Sequence, residues 1–145
     1  MGEATYYFKA KFSSVEKAEE AFPAVQAFLL EGAKAHDYWQ DHRDMEKEHR
    51  VEFWTEFKAK FPIVTKYLNG HVDGDCNNEL AGQLDFGEPE DVENHLQVEG
   101  REIWYHATVW HFAVWGALAS FLVTEFGALH MNHLSDEYIE PFDLL

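Results

Sequence analysis

An α+β domain with an antiparallel sheet is what the 145-residue sequence predicts. Residues 5–12 alternate cleanly, with Tyr6, Phe8, Ala10 and Phe12 on one side and Tyr7, Lys9 and Lys11 on the other, the period of a half-buried strand. Residues 101–112 are apolar on both strand faces: Ile103, Tyr105, Ala107 and Val109 share one, and Trp104, His106, Thr108, Trp110 and Phe112 share the other, so both faces call for cover. Between and after these two strands, apolar residues recur at helical spacing.

The elements follow in order. After the first strand, Ser13 and Glu16 have the spacing of a capping box, and Val15, Ala18, Phe22, Val25 and Leu29 mark the buried stripe of a helix. Pro23 lies inside that stripe and is expected to kink or restart the helix near Phe22, because it removes a backbone donor and crowds the preceding turn. From about His36 to Leu68 the chain is highly charged, with Trp39, Val51, Phe53, Trp54, Phe57, Phe61, Val64 and Leu68 as an irregular apolar stripe, and one or two inserted helices are expected. Phe61-Pro62 through Leu68 echoes Phe22-Pro23 through Leu29, which reads as shared helix-start chemistry rather than a repeat. Asn69-Gly70 ends the helical insertion of about 36–70, and a Gly, Asp and Asn-rich loop follows.

A strand is expected near 79–86, with Leu80, Leu84 and Phe86 opposite Ala81, Gln83 and Asp85. Gly87-Glu-Pro-Glu-Asp reads as a turn-rich acidic connection, and His95 to Glu99 as an extension leading to Gly100. The doubly apolar strand comes next. A helix over roughly 114–130 buries Trp115, Leu118, Leu122, Phe126 and Leu129. Tyr138 to Phe142 gives a last short strand, placed at an edge because Pro141 cannot donate to a ladder. The order β, α, inserted helices, β, β, α, β matches the ferredoxin-like split β-α-β sandwich, with strand order 4-1-3-2 and helices mainly on one face. In that order the first and third strands are central, which agrees with their greater hydrophobicity.

Composition narrows the function. A single domain over 1–145 is expected, and a 46% apolar content with 16% aromatics argues for folding despite a net charge of −16. With 27 acidic against 11 basic side chains, the surface repels phosphates, so nucleic acid is not expected as a partner. A basic protein partner fits the charge better. The only cysteine, Cys76, excludes an internal disulfide framework and points to a reducing, cytoplasmic setting. No signal-peptide pattern opens the chain and no apolar run is long enough for a membrane span, so no membrane partner is expected.

Chemistry-bearing residues converge on one face. If Ile103 to Val109 face the helices, the opposite face collects Tyr7, Lys9, Lys11, Gln83, Asp85, Trp104, His106, Thr108 and Trp110, a mixture suited to cover by the inserted helices or a second subunit, or to a small-molecule pocket. His42, Glu46 and His49 fall on one stripe of a helix drawn through 42–52, and His130 and His133 lie three apart near the last helix end with Asp136 and Glu137 nearby. Both are weak metal candidates, and solvated helix faces or a favourable helix dipole account for them as well. Asp73-Gly-Asp75-Cys76-Asn77-Asn78 begins like a calcium loop, then departs from it at Asn78 and Leu84. Cys76, beside acidic neighbours, is a poor nucleophile. No catalytic residue and no cofactor is assigned. The expectation is a non-enzymatic acidic domain that self-associates as a homodimer, across its aromatic sheet face or through its inserted helices. The alternative is a small-molecule or catalytic site on that face with His106 as acid or base. A weaker alternative is an acidic inhibitor or immunity-like protein for a basic partner.

Overall fold

A computed structural model describes residues 4–42, 47–67, 87–109 and 114–135. Strand β1 spans Ala4–Lys11 and helix α1 Val15–His42. A 3-10 turn at Lys47–His49 leads into α2, Arg50–Lys60, and α3, Pro62–Lys66. Helix α4, Pro89–His95, precedes strands β2, Gln97–Glu99, and β3, Glu102–Val109. Helix α5, Val114–Phe126, and strand β4, His130–Ser135, complete the described elements. The protein is α+β, with an antiparallel sheet in the order β2-β3-β1-β4.

The two strands with the strongest sequence signal are the central ones. They pair along their whole length, Tyr7 opposite His106, Lys9 opposite Trp104 and Lys11 opposite Glu102. One face of this pair is core: Phe8, Ala10, Phe12, Ile103, Tyr105 and Ala107 are buried, against Ala18, Ala21, Val25, Phe28 and Leu29 of α1 and Leu118, Phe121 and Leu122 of α5. The inserted helices pack on α1. There Tyr38 stacks on Phe53, with Phe57 and Phe61 completing an aromatic block. Tyr67, just past α3, meets Phe28 and Phe121 edge-on.

Helix α1 runs uninterrupted through Pro23, contrary to the expected restart. A proline inside a helix costs about 3 kcal/mol, whereas burying each of Val25, Phe28 and Leu29 contributes about 1.5–3 kcal/mol, so the packed face decides. Pro23 itself is exposed. Pro62, by contrast, stands at the first turn of α3, so the two Phe-Pro sequences do different work. The cap of α1 is Ser14, whose Oγ accepts the Lys17 N–H at 3.1 Å, rather than Ser13.

The C-terminal part also differs from expectation. Gly127 adopts φ +63 and ends α5 at Phe126, with the Ala128 N–H returning to the Leu122 carbonyl at 3.2 Å. A left-handed turn of this kind is cheap only for glycine. Leu129 is consequently 54% exposed instead of buried, and its N–H bonds the Lys11 carbonyl at 2.9 Å as the chain enters β4. The strand that flanks β1 is therefore His130–Ser135. The strand expected at Tyr138 to Phe142 and the one expected at 79–86 both lie outside the described residues. The expected acidic turn at Gly87-Glu-Pro-Glu-Asp is the start of α4, with Pro89 in its first turn and Asp91 Oδ2 accepting the Glu88 N–H at 3.0 Å.

Candidate functional site

Strands β1 and β3 carry the candidate site on the face away from the helical core. In register, Thr5 stands beside Thr108, Tyr7 beside His106 and Lys9 beside Trp104. Tyr7 and Trp104 are each 39% exposed, so the inserted helices leave them uncovered. The Thr5 and Thr108 hydroxyls lie 3.2 Å apart.

Lys9 on this face is paired locally. Lys9 is buried, its Nζ 3.3 Å from Glu102 Oε2 and 5.0 Å above the Trp104 ring. Register explains the arrangement. Trp104 lies directly opposite Lys9, and Glu102 on its diagonal, within reach of a long side chain. The ammonium is held between a carboxylate and the negative face of an indole.

At the border of the face, α4 brings a second titratable group to β3. The imidazole of His95 stacks on that of His106, centroids 4.0 Å apart and planes within 17°. Tyr7 lies on the other flank of His106, at 5.5 Å. His95 Nδ1 is 3.1 Å from Asp91 Oδ1, one helical turn back, at ion-pair distance without hydrogen-bond alignment. Burial pushes the His106 imidazole below the usual histidine range; the neighbouring His95 lowers it further, and Asp91 opposes. What fixes α4 here is Gly87, at φ +90, where a Cβ would come within 2.7 Å of Ala107 Cβ and 2.8 Å of Tyr105 Oη. Only a residue without a side chain permits this approach.

On the helical side a groove of about 590 Å³ runs between α1, α3 and α5, floored by Ala24 and Ala27 and walled by Ile63, Phe121 and Phe126. Its polar end is self-satisfied. Tyr67 Oη donates to Glu125 Oε1 at 2.7 Å, and Lys66 Nζ lies 3.4 Å from the same oxygen.

The residues expected to share a face do so in part. Tyr7, Lys9, Trp104, His106 and Thr108 are brought together, Lys11 stands at the Glu102 end of the same row, and Trp110, Gln83 and Asp85 lie outside the described residues. The expected metal stripe is dispersed. His42 ends α1, with its Nδ1 2.7 Å from the Tyr38 carbonyl, His49 precedes α2, and Glu46 lies outside the described residues, so one helix does not carry all three. His130 and His133 belong to β4 instead of a helix end, opposite Lys11 and Phe8. Among the described residues no group of three metal-ligating side chains converges, and no helix is long and apolar enough to cross a membrane. The loop containing Cys76 lies outside the described residues.

His95 and Asp91 were not legible as site residues from the strand pattern. Their signal is the Asp-x-x-x-His spacing after a Glu-Pro helix start, which puts both on one side of a short helix. Compared with known proteins, the chain matches no family model, no curated protein and no solved structure.

Proposed function

We propose that the chain acts through association, as a homodimer joined across the open face of its sheet. The observation that carries this reading is the coincidence of exposed aromatic surface with cancelled charge: Tyr7 and Trp104 are exposed while Lys9 is paired to Glu102 beside them. A chain with net charge −16 repels its own copies over most of its surface. Two copies therefore meet at least cost where charge is neutralised within each copy. Interface centres are poor in unpaired charge and rich in Tyr and Trp. A two-fold arrangement would place the same patch on both sides and close the assembly at two.

The strand order β2-β3-β1-β4 supports reading the architecture as ferredoxin-like, and the single cysteine supports a cytoplasmic setting. Neither carries the function, since one architecture hosts many activities. Light scattering coupled to size-exclusion chromatography tests the reading. The native chain is expected to elute as a dimer, and Trp104→Glu and Thr108→Glu as folded monomers with unchanged circular dichroism. A native monomer at high concentration, or an undiminished dimer in both variants, overturns it.

A second reading is favoured by one observation, the contiguous rings of His95, His106 and Tyr7. It is a small-molecule site on the same face with His106 as acid or base. A thermal-shift screen of metabolites against the native chain and His106→Ala decides it: no response that depends on His106 removes it.

A further inference from the structure

Resting on the association reading above, we propose that the stacked His95–His106 pair makes the dimer acid-sensitive, so that protonation at the border of the open face drives the two copies apart. The pair is a built contact between two elements. His95 comes from the end of α4 and His106 from the middle of β3, and their rings stack at 4.0 Å. Two imidazolium rings at that separation repel, so the stack is compatible with at most one positive charge at little cost.

Asp91 partly compensates charge on the pair, and the other groups around it add little. On α4, Asp91 is the anion acting on His106, and its carboxylate already accepts the Glu88 N–H and faces His95. On β1, Tyr7 presents an aromatic ring, and Lys9 adds a cation already engaged by Glu102 of β3. On β2, Glu99 lies opposite Glu102, at the far end of the row from His106.

Association makes the neutral ring still more favourable. Burial already holds His106 below its ordinary value of 6.5 in the single chain, and covering the face removes more water from it. The free chain therefore takes up protons at a higher pH than the dimer does. By linkage the dimer is strongest above the free chain's His106 value, itself below 6.5, and weakens as pH falls through that value until the histidine of the dimer is itself protonated. A homodimer carries the pair twice, so the effect is counted twice.

Sedimentation velocity across a pH series tests this. Kd is expected to rise about tenfold or more between about pH 7.5 and about pH 5.5, and His106→Gln is expected to keep the dimer and flatten that dependence. As a readout independent of that variant, the His106 imidazole is also titrated by NMR in the native dimer and in monomeric Trp104→Glu; a lower midpoint in the dimer supports the proposal. A dimer of equal affinity at both pH values, or equal midpoints, overturns the acid sensitivity alone. A monomer at both pH values overturns the association reading, and this inference falls with it.

Discussion

The carboxylate of Glu31, midway along α1, accepts the backbone N–H of Val64 at 2.6 Å, so a side chain of one helix caps the start of another. Helix α3 has Phe61 at its N-cap position and no cap from its own sequence neighbours. Burial pushes the Glu31 carboxyl up, while the Val64 and Ile63 backbone bonds pull it down, as expected for an acceptor aimed at unsatisfied helix N–H groups. Glu31→Ala is expected to cost about 1–2 kcal/mol in urea unfolding. Glu31→Gln, which keeps an acceptor oxygen, is expected to lose less. Equal losses would mean that the charge, not the cap, matters.

Gly87→Ala should be among the more damaging single-methyl changes in the chain. The residue sits at φ +90, and the added carbon would collide with Ala107 and the Tyr105 hydroxyl. The left-handed backbone alone costs about 1–2 kcal/mol, and the collision adds to it. Gly100→Ala is the control, since Gly100 has φ +59 but open space where a Cβ would be. Thermal unfolding should rank the two, and hydrogen exchange should show α4 protection lost in Gly87→Ala while it persists in Gly100→Ala.

The Lys9–Glu102 pair is expected to be coupled well beyond a surface ion pair. Exposed pairs contribute about 0–1 kcal/mol; here the ammonium is buried beneath an indole. A double-mutant cycle with Lys9→Met and Glu102→Gln should return a coupling of about 1 kcal/mol or more. That value should change little with added salt, because buried pairs are weakly screened. A coupling near zero, or one erased by salt, would reduce the pair to surface decoration.

Local patterning made the central sheet readable. Alternation in the first strand, and the assignment of the Ile103 to Val109 face to the helices, were enough to place Phe8, Ala10, Ile103 and Tyr105 in the core, whereas the cover expected over the Trp104 face leaves Trp104 39% exposed. What failed locally was decided by distant partners. Pro23 argued for a helix break and lost to the burial of Val25, Phe28 and Leu29. Leu129 fitted the helical stripe, but the turn at Gly127 sent it into a strand that pairs with β1. The candidate site was half visible for the same reason. His106 announced itself by alternation within β3, whereas His95 reached it through a helix whose docking depends on Gly87, a relation between segments that no single window of sequence contains.

Helix α4 lies beside β3 where the three-residue strand β2 stops pairing with it. A sheet that grows strand upon strand into a fibre needs a long, unobstructed ladder on each side. Among the described residues one side offers three residues and then a helix end, which gives another chain's backbone little ladder to pair with along that side. Propagation of the sheet from that side is thereby disfavoured.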